Sequence, residues 1–339
     1  MFKSFFFSRH WLLWAWPGAA LIVFGTWYQV EIDVAINDWF GGFYDLVQKA
    51  LGSPGAVTLD EFFGFLMTFG KLAGTYVLVA VLLGFFTKHW VFRWRDAMND
   101  YYMRYWGSLR HIEGASQRVQ EDTKRFAAIM ESLGSNMMDS LMTLFAFLPI
   151  LWNLSKKVSE VPVLGQVDHA LVYVAILFAL AGTVLLALVG IKLPGLEFNN
   201  QRVEAAYRKE LVHGEDDAAR AGEPVVRDLF SHVRKNYFRL FFHYMYFDVA
   251  KFTYLQFGVL VPYIALGPTV VAGAITLGVM QQIVRAFGRV EMSFQFLVRS
   301  WSTIVELISV YKRLRAFEAQ IGDNTTAAGS VPAAGGVNS

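Results

Sequence analysis

Several acidic residues recur at spacings that align carboxylates along one face of a helix. Glu113 and Glu131 are 18 residues apart, and about 18 residues complete five turns of an α-helix. Glu121 and Asp139 have the same spacing, and this second pair is rotated by about 80° from the first. We therefore predict a single helix with a stripe of four carboxylates, a chemistry suited to proton or ion transfer.

A second set of acids follows the same rule further along the chain. Glu197, Glu204 and Glu215 fall within about 20° of one another if their segment is one continuous helix. Gly214 is the position at which that helix could break.

The alternative interpretation of both sets is a solvated helix face on which basic residues balance the acids. It is weaker for Glu131 and Asp139, which we expect at or inside an apolar segment. Carboxylates at membrane depth are costly, and they usually face a cavity or mark a proton or ion path. The balancing basic residues would be Arg118, Lys124, Arg202 and Arg208.

A third polar stripe falls near the end of the chain. Gln281, Arg285, Arg289, Arg299 and Glu306 lie within an arc of about 100° on an ideal helix. A helix surrounded by lipid could not carry three arginines, so we predict that the first four of these residues line a water-filled cavity. An extension of the helix into the cytoplasm is the alternative, particularly for Glu306.

The elements that carry these residues are predicted to be membrane helices. Hydrophobic residues form 55% of the 339 residues, whereas charged residues form 17%, below the roughly 25% of a soluble domain. Six apolar segments are each long enough to cross a bilayer. They lie near residues 11–30, 62–86, 135–154, 169–191, 244–264 and 274–308. We therefore predict an all-α integral membrane protein.

Basic residues predict the orientation of these helices. Eight lysines and arginines lie in residues 88–125 and nine in residues 192–239, whereas residues 31–61 contain one. Loops rich in Lys and Arg stay in the cytoplasm, so both long insertions and both termini are predicted to be cytoplasmic. Residues 1–318 would form the transmembrane domain, and residues 319–339, rich in small and polar side chains, a disordered tail.

Other chemistries find little support in the sequence. No G-x4-G-K-[ST] phosphate loop, paired histidine motif or cysteine is present, so we expect no enzyme activity, metal site or cofactor. The net charge of +2 gives no support to a nucleic-acid partner. The order of segments and insertions is that of the membrane half of an ABC exporter. Since no ATPase follows, we expect another source of energy to drive the scaffold.

Several long stretches give the chain a specific resemblance. Over most of residues 27–317 it resembles the SbmA/BacA-type bacterial peptide transporters. The stretches that carry this resemblance are residues 92–102, 110–122, 193–198, 200–211, 235–239 and 275–278.

The resemblance implies a homodimer with an ABC-exporter-like membrane fold, surrounded by lipid in the bacterial inner membrane. It implies uptake of Pro-rich antimicrobial peptides and peptide antibiotics, driven by the proton gradient. It also implies a proton-sensitive ladder made of Glu121, Glu131, Glu204 and Glu215. Glu113, Glu197 and Glu210 lie in matching stretches with less defined roles.

Two other functions remain open from the sequence. The chain could be a permease subunit that works with a separately encoded ATPase, in which case the cytoplasmic insertions would carry a coupling surface. It could also be a membrane assembly or receptor protein that transports nothing.

Overall fold

The computed structural model describes residues 1–112, 114–158, 160–162, 165–217 and 219–328. Nearly all of these residues are helical, and no β-strand occurs among them, which confirms the all-α class. The helices are α1 Phe2–Phe6, α2 Leu12–Gly52, α3 Leu59–Arg104, α4 Trp106–Leu109, α5 Ala115–Gln117, α6 Thr123–Ser155, α7 Ala170–Gly190, α8 Leu193–Asp216, α9 Glu223–Val271, α10 Leu277–Arg299 and α11 Trp301–Ala328.

The chain divides into two compact units. The first unit contains Met1–Lys157 and the chain from Gly273 onward, and the second contains Val158–Ala272. Helices α1–α6, α10 and α11 therefore belong to the first unit, and α7–α9 to the second.

Helices α2 and α3 form a long antiparallel pair in the first unit. Helix α2 continues to Gly52, well beyond the apolar segment that predicts it, because no proline interrupts the polar residues that follow. Helix α3 begins with a capping box, in which the hydroxyl of Thr58 accepts from the Glu61 amide at 3.2 Å and the Glu61 carboxylate accepts from the Thr58 amide at 3.0 Å. These bonds satisfy amides that have no partner inside the helix.

Aromatic side chains form the core at one end of the first unit. The short helix α1 packs on α3, where the ring of Phe5 stacks on Trp94 with 6.0 Å between centroids. Tyr102, Phe126 and Leu314 are also buried there, which joins α3 to α6 and α11. Burial of each such side chain contributes about 1.5–3 kcal/mol.

The predicted continuous helix through the first acid stripe is interrupted. Gly114 has a left-handed backbone, with φ of +74°, and it precedes α5. A π-helical turn, Arg118–Asp122, then joins α5 to α6. Glu121 lies within this turn, so ideal α-helical spacing does not relate it to Asp139. Glu113 lies outside the described residues.

The second unit is built on the apolar helix α7 and the long helix α9. The ring of Tyr254 on α9 lies so close to Gly182 on α7 that a Cβ atom at position 182 would overlap it. Helix α9 continues through Pro262 and Pro268 to Val271, beyond the predicted segment at residues 244–264, because membrane helices tolerate proline. The chain turns at Gly273, whose φ is +66°.

Five helical segments of the described chain are long and apolar enough to cross a membrane. They are Leu12–Gly52, Leu59–Arg104, Ala115–Ser155, Ala170–Gly190 and Glu223–Val271. The sixth predicted segment corresponds to α10 and the start of α11, which a turn at Ser300 separates. The six-helix exporter arrangement stays a prediction. Of the predicted tail, α11 includes residues up to Ala328, and residues 329–339 lie outside the described chain.

Candidate functional site: a charged network on helices α2, α6 and α10

Asp33 on α2 binds two arginines of α10. Its carboxylate forms a salt bridge with Arg285 and lies 2.6 Å from the guanidinium of Arg289. The Asp33 side chain is only 7% exposed, and the two arginines are 27% and 29% exposed. Because Arg285 and Arg289 are one helical turn apart, a single carboxylate can contact both.

Contacts between α2 and α3 indicate the membrane depth of this carboxylate. The indole of Trp39 donates to the carbonyl of Phe65 at 2.8 Å, and Gly25 packs against Leu83. Asp33 lies midway between residues 25 and 39 of α2. It is therefore level with the middle of the apolar stretch at residues 62–86 of α3. A carboxylate at such depth needs ionic partners.

Further polar contacts follow the same α2–α10 interface. The amide of Gln282 donates to Asp38 at 3.3 Å. Asp45 accepts from the backbone amide of Gly278 at 2.9 Å, and Gln48 accepts from that of Leu277 at 2.8 Å. Helix α2 thus caps the first turn of α10, where the helix dipole favours a carboxylate.

Asp139 on α6 belongs to the same charged network. It is exposed and lies within electrostatic range of Arg289 and Asp33. Two acids and two arginines therefore balance one another among α2, α6 and α10. Since Arg289 interacts with both acids, a change in the charge of Asp139 alters the field that holds the Asp33 salt bridges.

Glu131 lies two turns before Asp139 on α6 and pairs with a different helix. Its carboxylate accepts from the ammonium of Lys88 on α3 at 2.7 Å. The glutamate side chain is 35% exposed and the lysine 69%, so both remain accessible to water. Lys88 follows the apolar stretch of α3, which puts this ion pair at the edge of the membrane.

Glu121 forms a surface ion pair near the start of α6. Arg125 donates to it at 2.7 and 3.0 Å, and Gln117 donates at 3.3 Å. The same arginine lies 3.5 Å from Glu306 on α11. The carboxylates of Glu121 and Glu306 thus share the charge of Arg125. If either carboxylate lost its charge, contact of Arg125 with the remaining charged carboxylate would be favoured.

The next residue, Asp122, is buried and attaches α11 to the π-helical turn. Arg313 makes two-pronged contact with its carboxylate at 2.7–3.2 Å, and Arg118 donates at 3.0 Å. Hydrogen bonding to Asp122 raises the pKa of the Arg313 guanidinium above its ordinary value. Such paired, charge-assisted bonds fix the relative position of two elements.

The second unit contains the remaining predicted acids on α8. This helix is continuous from Leu193 to Asp216, as the alignment of Glu197, Glu204 and Glu215 requires. The hydroxyl of Tyr244 on α9 donates to Glu197 at 2.6 Å. Glu204 is half-buried and Glu215 exposed, and the described chain shows no ion pair with either.

Glu210 supports the turn between α8 and α9. One carboxylate oxygen accepts from the backbone amide of Ala221 at 3.1 Å, and the other lies 3.3 Å from Arg220. The Ala221 amide first, and then the Arg220 guanidinium, lower the pKa of Glu210 below its ordinary value. Ala221 has a left-handed backbone, with φ of +52°, and this bond helps to hold it there.

The predicted cavity residues on α10 occupy different surroundings. Arg285 and Arg289 face α2, whereas Arg299 is exposed and donates to Gln295 at 2.8 and 3.1 Å. Gln281 is half-buried. The structure therefore brings Arg285 and Arg289 together at Asp33, with Asp139 in electrostatic range of Arg289, whereas Arg299 lies apart from this group.

Two buried acids, Asp33 of this network and Asp122 of the π-helical turn, are absent from the residues singled out by sequence. Hydropathy falls after residue 30, so the apolar segment predicted at residues 11–30 does not include Asp33. A signal was present, since arginines predicted at membrane depth require a counter-ion. Searching the helical extension of the first apolar segment would have found Asp33.

The chemistry open to this network is proton binding and ion pairing. No group of three or more His, Cys, Asp or Glu residues in the described chain could hold a metal ion. Carboxylates paired with Lys and Arg can exchange partners when one of them is protonated, and such exchange can shift a conformational equilibrium.

Comparison with protein families matches residues 8–322 to the SbmA/BacA-like family. The chain belongs to this family. The match confirms the resemblance seen in the sequence. Together with the five apolar helices, membership in the SbmA/BacA-like family supports a multi-pass inner-membrane protein of transporter type.

Curated relatives of this SbmA/BacA-like chain are longer proteins. It is 26% identical over 311 residues to the inner membrane ABC transporter ATP-binding protein YddA of Escherichia coli, which covers 85% of this chain and 54% of YddA. An uncharacterized ABC transporter ATP-binding protein of Synechocystis is 25% identical over 68% of this chain and 34% of its own length. The chain thus spans about half, or less, of the length of these relatives.

Proposed function

We propose that this protein is a proton-gradient-driven importer of antimicrobial and other peptides, and that it acts as a homodimer in the bacterial inner membrane. The observation that carries the proposal is the ionic network of Asp33, Asp139, Arg285 and Arg289 at membrane depth, in a member of the SbmA/BacA-like family. Charged groups are retained at such depth when they serve an ion or proton path.

The proton-responsive elements in this proposal are the predicted glutamates. Glu121, Glu131, Glu204 and Glu215 form the ladder, and Glu113, Glu197 and Asp139 extend it. Protonation of a ladder acid removes its charge, and for Glu121 and Glu131 it also releases the basic partners Arg125 and Lys88. One conformational state is thereby favoured over another.

Cationic peptides are the substrates that fit this chemistry. A cavity with several acids attracts positive charge, which raises the local concentration of Pro-rich or other basic peptides. In this scheme Gln281, Arg285, Arg289 and Arg299 line the path. The acids opposite Arg285 and Arg289 keep these two arginines from repelling the substrate.

The architecture that accompanies this function is an ABC-exporter-like domain of six membrane helices. Residues 1–318 form the transporter domain and residues 319–339 a tail. Both termini and both charged insertions lie in the cytoplasm, in line with their lysines and arginines. We propose no catalytic role or cofactor.

Uptake by purified protein in proteoliposomes tests the proposal. We expect accumulation of a fluorescent Pro-rich peptide when a pH gradient, acidic outside, is imposed, and none after a protonophore collapses it. Protein-free liposomes with the same gradient are the control. Uptake that is independent of the gradient would refute proton coupling.

A second candidate is a permease that works with an ATPase, and the names of the relatives favour it. YddA is called an ATP-binding protein, and this chain matches 54% of its length. Depleting ATP in cells while maintaining the proton gradient separates the two functions. Proton coupling predicts that uptake continues. Dependence on an ATPase partner predicts that uptake stops and that the ATPase copurifies with the permease.

A further inference from the structure

Asn37 on α2 is a fully buried polar residue in the first unit. Its exposed fraction is 0%, and neither the oxygen nor the nitrogen of its amide has a hydrogen-bond partner in the described chain. Buried amides almost always have partners, because an unpaired one loses its hydration without replacement.

Arg285 has an unpaired atom in the same region. Its buried Nε has no described partner, although its terminal nitrogen binds Asp33. Its guanidinium also lies 5.0 Å from the centroid of the Phe40 ring. Residues 33, 37 and 40 fall within an arc of about 60° on α2. Asn37 is therefore on the face of α2 that the Arg285 side chain covers.

We propose that Asn37 and Arg285 form an internal water-binding site between α2 and α10. The unpaired atoms supply a donor from Arg285 and both donors and an acceptor from Asn37. A water molecule can accept from Nε of Arg285 and donate to Oδ1 of Asn37, which pairs two of the three unpaired atoms. The complete burial of Asn37 limits the ligand to the size of water, and such sites need two to four polar partners, about the number present here.

The bound water gives Arg285 a third partner besides Asp33 and Phe40. When the Asp33–Arg285 salt bridge breaks, a hydrated Nε lowers the cost of moving the guanidinium inside the membrane. The site therefore makes the ionic network reversible. This inference goes beyond the proposed function, because it depends neither on the substrate nor on the driving ion.

Substitution of Asn37 tests the site in the purified, full-length protein in lipid nanodiscs. Asn37→Leu keeps the branched shape of the side chain but removes both of its polar atoms, and we expect its unfolding midpoint to fall by at least about 3 °C. Asn37→Ser retains a hydroxyl and leaves room for water, so we expect a smaller decrease. Ile36→Leu, a buried apolar change on the same turn, is the matched control. An Asn37→Leu midpoint equal to or above that of the wild type would overturn the proposal.

An experimental map that shows ordered waters provides the second measurement. We expect density within hydrogen-bond distance of Nε of Arg285 and Oδ1 of Asn37. A map of that quality without such density would overturn the proposal, even if Asn37→Leu were destabilising, because shape alone would then explain the loss. Neither measurement involves transport, so failure here is distinguishable from failure of the proposed function.

Discussion

The ammonium of Lys88 on α3 lies 2.7 Å from a carboxylate oxygen of Glu131 on α6. This ion pair joins the end of an apolar stretch to the helix that carries Asp139. Since both side chains remain in contact with water, a proton can reach Glu131 without passing through the protein core. Protonation would neutralise the acid and free the lysine.

Glu131→Gln is expected to lower gradient-driven peptide uptake in proteoliposomes by at least about tenfold, equivalent to about 1.4 kcal/mol. The amide cannot change its charge, so it cannot respond to the gradient. Asp228→Asn on α9 is the control, because this exposed acid has only a 4.0 Å contact with His232 among its described ion pairs. An equal loss of uptake in Glu131→Gln and Asp228→Asn would contradict a specific role of Glu131 in proton coupling.

Asp33→Asn is expected to destabilise the protein by about 3 kcal/mol, because two partly buried arginines lose their counter-ion. The measurement is the shift in unfolding in lipid nanodiscs. Asp38→Asn is the matched change on the same helix. Asp38 is exposed and accepts one bond from Gln282, so its substitution should cost less than about 1 kcal/mol. Similar losses of stability in Asp33→Asn and Asp38→Asn would contradict the role of Asp33 as the counter-ion of Arg285 and Arg289.

Asp122→Asn is expected to cost about 2 kcal/mol, because the charge-assisted bonds to Arg313 and Arg118 are weakened. Proteolysis of native protein should then cut more rapidly within α11. Glu223→Gln is the control, since the Arg227–Glu223 pair is 79% exposed on both sides and exposed pairs contribute little. Unchanged cleavage in Asp122→Asn would mean that the aromatic core alone holds α11.

The turn between α8 and α9 is expected to loosen in acid. The folded state lowers the pKa of Glu210, so the carboxylate stabilises the turn above its ordinary pKa of 4.5. That stabilisation is lost as the pH falls from 4.5 through the lower pKa of the folded state.

Glu210→Gln tests this dependence at constant pH. At pH 7 we expect faster amide hydrogen exchange in residues 211–222 of this variant than in the wild type. Glu215→Gln, which removes an exposed acid with no described ion pair, should leave exchange unchanged. If both variants exchange at the wild-type rate, Glu210 does not hold the turn.

Regular, strongly apolar elements were predictable from sequence. Residues 169–191 predict the span that the structure contains as Ala170–Gly190, because an entirely apolar helix has no competing pattern. The end of α9 was less predictable, because the apolar segment predicted at residues 244–264 continues as helix through Pro262 and Pro268 to Val271. Proline is tolerated in a membrane helix when surrounding groups satisfy the backbone.

Of the ionic network, the arginines were predictable from sequence, but their counter-ion Asp33 was not. Arg285 and Arg289 were recognised because three arginines on one helical face exclude lipid contact. Asp33 was missed because it is 252 residues distant from Arg285 in the chain, and no local pattern links residues so far apart. The π-helical turn at Glu121 was also missed, because its hydrogen-bond pattern leaves no simple sequence signal.

The caps on α10 have a consequence for the connectivity of the chain. Two of its first amides bind Asp45 and Gln48 on α2, so the start of α10 is fastened by a helix more than 200 residues earlier in the sequence. The peptide link through Gly273 is not what anchors this helix. A chain cut at that glycine would keep α10 in register with α2, which makes the site suitable for reassembling the protein from two separately expressed fragments.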